Sequence, residues 1–215
     1  MTPETGEAKV RERPELIILF AWYAILGCVI FATTILIADF VVPNHDWIAD
    51  TISDLGAGRY EFIVDIGIYA FSASLISIAL VSAHVHLGNW RWSFGIVGFA
   101  IIGLIVFLVG ARNEYGDNDN EGVVIHIYLV YALGLLMALL PWCMAEGASR
   151  CGAIYGKLLV GYSIVWAISA PIFFMLPTDI DGLYERYLGL IAMATVTTLA
   201  WLFIRRGHNM QKDWQ

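Results

Sequence analysis

The sequence predicts an all-α integral membrane protein, a polytopic bundle of six transmembrane helices with both termini cytoplasmic. Three observations carry that prediction. The 215 residues are 59% hydrophobic and only 14% charged, against about 25% charged in an ordinary soluble domain. A soluble fold of this length exposes too much of its chain to hide so much apolar surface. The apolar residues also fall in six uninterrupted stretches, each close to the roughly 20 residues needed to cross about 30 Å of hydrocarbon. Finally, Lys and Arg concentrate on one side of those stretches. The formal charge of -7, with 12 Lys and Arg in total and no basic run, argues against nucleic-acid binding.

The stretches cover residues 16–42, 62–87, 92–111, 123–145, 154–176 and 187–204. Each is too long for the alternating strands of a membrane barrel, so its backbone must be satisfied inside a helix. The first is also too long for a cleaved signal peptide and has no small-residue cleavage site. No polar segment is large enough for a second domain. The chain therefore divides into a tail over 1–15, a transmembrane domain over 16–206 and a tail over 207–215.

Nine cations (Lys9, Arg11, Arg13, Arg91, Arg150, Lys157, Arg205, Arg206 and Lys212) share the side of the termini, and only Arg59, Arg112 and Arg186 lie opposite. The positive-inside rule then sets both termini in the cytoplasm. Eleven acids lie in the opposite, outer loops. Cys28 falls mid-span, whereas Cys143 and Cys151 fall on the reducing side. Trp47, Trp90, Trp92 and Trp142 sit near span ends and suit an aromatic belt. Gly152 and Gly156 form a GxxxG whose expected role is close helix packing. There is no internal repeat.

Ionisable residues at membrane depth are expensive, so they mark candidate sites. Asp39 lies near the outer end of the first span, Asp65 just inside the second, Arg112 at the end of the third and His126 near the start of the fourth. All four are outward, and the central thirds of the third, fifth and sixth spans hold no ionisable residue. That pattern argues against a relay through the whole bilayer and for a site open to one face. In the first outer loop, residues 51–56 (Thr-Ile-Ser-Asp-Leu-Gly) form a short interfacial helix, with Ser53 or Asp54 expected as its cap.

The second outer loop contains a DNDNEG run over 117–122, but a calcium loop starting at Asp117 would place Tyr128 where a bidentate Glu is required. It reads as a solvated acidic loop, with Arg112 and Glu114 positioned to pair at a pocket rim. In the third loop, Arg186 opens the last span. His84, His86 and His208 are on the cytoplasmic side, which leaves His45 and His126 facing outward. Two His and an Asp would meet the count for catalytic zinc, yet no local ligand spacing exists, so any ligands would converge from separate helices. Whether a metal binds stays open. No haem or other cofactor is expected, because facing His deep in the spans are missing.

The segment Ile52-Ser53-Asp54-Leu55-Gly56, the fourth span carrying His126 and the segment Gly182-Leu183-Tyr184-Glu185-Arg186 together give a resemblance. The chain resembles the bacterial and archaeal six-span family called domain of unknown function 998 over most of its length. That family is distantly similar to the eukaryotic damage-regulated autophagy modulators. The resemblance implies a six-helix fold and a prokaryotic plasma (inner) membrane location. Some members of a wider hydrolase group, including alkaline ceramidases, share a Ser, Asp and His theme, but their paired HxxxH has no counterpart here.

Three function classes follow. The first is a binding module whose outward polar pocket takes a lipid head group or small polar ligand through His45, Ser53, Asp54, Asp65, Arg112, Glu114, His126 and Arg186. It is preferred because the clustered groups lack a full catalytic set. The second is an accessory subunit that packs against a larger membrane complex or self-associates, for which exposed Trp22, Tyr23 and Phe31 would supply contacts. The third is a metal-dependent lipid hydrolase built on His126, Asp54 or Asp65, and Ser53.

Overall fold

The computed structural model describes residues 12–56, 59–111 and 125–212. They form seven helices: α1 (Pro14–Val41), α2 (Ile52–Leu55), α3 (Glu61–His84), α4 (Trp90–Ala111), α5 (Ile125–Ser149), α6 (Ala153–Phe173) and α7 (Asp181–Lys212). Six of these are long and apolar enough to cross a membrane. The described residues contain no strand. At about 1.5 Å per residue, the 22 residues of α4 span about 33 Å, which matches the hydrocarbon thickness.

The long helices close into a ring in chain order. α1 packs on α3, α3 on α4, α4 on α5, α5 on α6, α6 on α7, and α7 returns to α1. The short α2 lies at one end, against α1, α3 and α7. This end, termed the α2 end, also receives the C-terminus of α1 and the N-termini of α3 and α7.

Small residues let the backbones approach, which is how helices associate where no hydrophobic drive separates them from lipid. A Cβ on Gly27 would fall 2.3 Å from the Ala70 carbonyl oxygen, and one on Gly98 2.3 Å from a Leu140 methyl. Gly156 meets the Ala145 carbonyl at 2.6 Å in the same sense, so this part of the GxxxG seats α6 on α5. Buried hydroxyls add cross-links: Ser72 donates to the Gly103 carbonyl at 2.7 Å and Ser77 to the Phe20 carbonyl at 3.1 Å.

Several boundaries and roles differ from the sequence reading. α7 begins six residues before the apolar run and continues to Lys212, beyond the proposed tail boundary. Its polar ends carry charges on both sides of the apolar stretch, so hydropathy alone trims it. Trp92 is not a belt residue: it is 1% exposed, and its indole donates to the Ser82 carbonyl at 2.9 Å. Trp47, Trp90 and Trp142 are exposed. Phe31 is buried and stacks on Phe71 at 5.0 Å, leaving Trp22 and Tyr23 as the outward aromatics. The cap of α2 is Thr51, not Ser53 or Asp54.

At the opposite end, Arg206 forms a bidentate pair with Glu12 at 2.9 Å and 3.1 Å, joining the start of α1 to α7. Cys151 lies beside Arg206 in the turn before α6. Burial pushes its thiol pKa up, and the guanidinium partly opposes that shift.

Candidate functional site

The α2 end is organised by Arg186, one turn into α7. Its Nη2 donates to Asp39 Oδ1 of α1 at 2.5 Å, and its Nη1 donates to the carbonyls of Asp50 and Gly182, each at 2.9 Å. His45 sits between two acids, with Nε2 at 3.0 Å from Asp39 Oδ1 and Nδ1 at 3.3 Å from Asp50 Oδ2. The His45, Arg186 and Asp39 side chains are only 3%, 13% and 14% exposed. At that burial, separated charges would be costly, and mutual pairing offsets the cost.

This network draws the loop after α1 across the start of α7. The Leu183 amide donates to the Ile48 carbonyl at 2.9 Å. A Cβ on Gly182 would lie 2.1 Å from the Asp50 carbonyl, so the crossing requires glycine there. The loop then enters α2 through a capping box: Thr51 Oγ1 accepts from the Asp54 amide at 3.1 Å, and Asp54 Oδ2 accepts from the Thr51 amide at 2.7 Å. Glu185 accepts from the Ile52 amide at 2.6 Å and so ties α2 to α7. Each of these contacts satisfies a backbone donor that a helix start leaves open.

Beneath α2, inside the ring, lies a cavity of about 200 Å³. Its walls are mostly apolar and come from all six long helices, including Phe31, Phe71, Val106, Leu133, Trp166, Phe173 and Leu188. Among the described residues, its hydroxyl and carboxylate groups are Ser53 of α2, Asp65 of α3 and Glu185 of α7. Asp65 Oδ1 is buried and has no hydrogen-bond partner among the described residues. Gly134 and Gly189 also line the space. Among the described residues, a Cβ on Gly134 would meet nothing within 4 Å, and one on Gly189 would meet only Phe31 Cε1 at 4.0 Å. The Trp166 indole donates to the Gly134 carbonyl at 2.9 Å, holding one wall.

The candidate residues from the sequence thus divide. Ser53 and Asp65 line the cavity. Asp54 serves the α2 capping box, and His45 and Arg186 belong to the adjacent ion network. Arg112 and Glu114 lie outside the described residues. His126 is the second residue of α5, and its side chain also lies outside them. Among the described residues, no group of three His, Cys, Asp or Glu is arranged to hold a metal ion.

Sequence reasoning marked Asp39 as an acid at membrane depth without placing it in the binding set, and did not select Asp50, Thr51 or Glu185. Thr51 was legible in part, because Thr-x-x-Asp is a capping-box spacing. Asp39 carried the signal of an acid at membrane depth. The partners of Asp50 and Glu185 depend on a crossing of distant segments that no local pattern encodes.

A family model described as a protein of unknown function (DUF998) matches residues 25–202. The chain belongs to this family. The match runs from within α1 to within α7, so the DUF998 region includes α2, the cavity and the Asp39–Arg186 pair. No curated protein and no solved structure matches the chain. Membership in DUF998 carries no reaction with it, and function has to be argued from the site.

Proposed function

We propose that this membrane protein binds an amphiphile, with an apolar chain in the interhelical cavity and its head group at Ser53, Asp65 and Glu185. The reading also takes the α2 end to face away from the cytoplasm, in line with the Lys and Arg distribution. The observation that carries it is the pairing of apolar walls with carboxylates at one end of one cavity. Ligand sites have this composition: mostly apolar surface, with a few polar groups to fix orientation.

Further support comes from the two wall glycines. A mid-helix glycine costs about 1 kcal/mol relative to alanine, and neither Gly134 nor Gly189 is required by close packing. Both keep volume open where a ligand would lie. The Asp39–His45–Asp50–Arg186 network braces α2 above that volume. It positions the binding end and is not itself the ligand contact.

Native mass spectrometry of the protein released from a mild detergent tests the proposal. Wild type is expected to retain a lipid-sized adduct, and Gly134→Leu and Gly189→Leu, whose side chains occupy the cavity, are expected to lose it. Identical adducts in all three proteins would refute cavity binding.

A further inference from the structure

We infer that His45 is a proton-operated latch at the α2 end: its imidazolium form holds the loop after α1 across α7, and its neutral form releases that loop. The inference concerns this end alone and stands whether or not a ligand fills the cavity. It starts from what each ring nitrogen meets. Nε2 lies 3.0 Å from Asp39 Oδ1 and 3.1 Å from Arg186 Nη2. Nδ1 lies 3.3 Å from Asp50 Oδ2. The ring is thus held, almost fully enclosed, between a carboxylate of α1 and a carboxylate of the loop.

Both facing oxygens already act as acceptors. Asp39 Oδ1 accepts from Arg186 Nη2, and Asp50 Oδ2 accepts from the Asp46 amide at 2.8 Å. A neutral imidazole carries one N–H and one lone pair, whereas the imidazolium donates at both nitrogens. With the proton on Nε2, the Nδ1 lone pair faces Asp50 Oδ2. With the proton on Nδ1, the Nε2 lone pair accepts from Arg186 but stands 3.0 Å from Asp39 Oδ1. The imidazolium alone donates to both acids, and charge-assisted bonds are about twice as strong as neutral ones. Arg186 is the like charge in the cluster, and the two cations share Asp39 Oδ1 as acceptor.

Further ionisable groups on the packed elements have separate contacts or places. Asp46 accepts from the Ile48 amide, Asp54 closes the α2 capping box, Glu185 accepts from the Ile52 amide and Asp181 opens α7. Within this set, histidine is the residue type whose ordinary titration, near pH 6.5, falls between pH 5.5 and 8.5. A group whose charged form gains partners in the folded state stabilises that state at acid pH and loses the effect as pH rises. The latch therefore closes in acid and loosens in base. The amides of Asp46, Ile48, Thr51 and Ile52 are all hydrogen-bonded in the closed end, so their exchange reports on it. Because Ile52, Ser53 and Gly56 line the cavity, the latch also sets how firmly that end of the cavity is covered.

The test is amide hydrogen exchange of the full-length protein in phosphatidylcholine nanodiscs at pH 5.5 and 8.5, with each rate divided by the intrinsic rate at that pH. In wild type, protection over residues 46–56 is expected to fall at least about tenfold from pH 5.5 to 8.5, the equivalent of one charge-assisted hydrogen bond. His45→Gln, neutral at both pH values, is expected to show no such fall. Asp50→Asn offers an amide N–H to the neutral ring and is expected to keep the loop protected at pH 8.5. The α4 amides report in every sample that the bundle is folded, and the wild-type comparison decides without a variant. Equal wild-type protection at the two pH values overturns the latch. A fall in His45→Gln as large as that of wild type overturns the assignment to His45, and an undiminished fall in Asp50→Asn overturns the donor count at Nδ1.

Discussion

Replacing Asp39 by alanine removes the buried carboxylate that Arg186 and His45 share and is the sharpest stability test. Asp39 Oδ1 stands 2.5 Å from Arg186 Nη2 and 3.0 Å from His45 Nε2, so the substitution ends two contacts at once. Asp39 and Arg186 side chains are 14% and 13% exposed, which places the pair among buried ones, where losing one partner costs about 3–5 kcal/mol. Arg186 keeps its two carbonyl acceptors, so the lower half of that range is expected. The exposed Glu146–Arg150 pair at the C-terminal end of α5, at 55% and 56% exposure, is the control. An i,i+4 surface pair contributes about 0.3–0.5 kcal/mol. The assay is equilibrium unfolding in mixed micelles with a double-mutant cycle over Asp39→Ala and Arg186→Ala. A coupling energy above about 1.5 kcal/mol is expected, because each contact is charge-assisted. Coupling no larger than that of the Glu146–Arg150 cycle would refute the network as a brace.

Gly182→Ala forces a Cβ against the Asp50 carbonyl, and overpacking of this kind costs about 1–3 kcal/mol; unchanged unfolding would remove the loop crossing from the account. In protein stripped of bound lipid, Gly134→Ala and Gly189→Ala place a methyl in space that no described protein atom fills and are expected to stabilise by about 0.5–1 kcal/mol through helix propensity, read in the same assay, whereas clear destabilisation there would mean that side chains close the space. Cys151 alkylation followed against pH should reach its half-maximal rate above the ordinary thiol value, since burial raises its pKa. Arg206→Gln should move that midpoint higher still, because the guanidinium beside the thiol lowers it; a downward move would contradict the contact.

The six spans were legible because uninterrupted apolar runs leave the backbone no alternative to helix in lipid. Their ends were less so. α7 extends past its apolar run at both ends because polar residues there can still continue a helix in water or head groups, and Trp92 turned inward because Ser82 offers its indole a carbonyl acceptor. The placement of Asp39, Asp65 and Arg186 near helix ends was legible one residue at a time. What joined Asp39 to Arg186 across 147 positions of sequence was ring closure between α1 and α7, which hydropathy does not describe. The cavity was not legible for the same reason: its walls come from six helices, and Gly134 and Gly189 look like the packing glycines elsewhere in the chain until their surroundings are known.

The central claim is that the space enclosed beneath α2 is a ligand site. An experimental density map of the protein purified in native lipid tests it most directly. The account predicts elongated density along Phe31, Trp166 and Leu188 that ends in a head group at Ser53, Asp65 and Glu185. A cavity closed by repacked side chains, or one holding only isolated water, would contradict it.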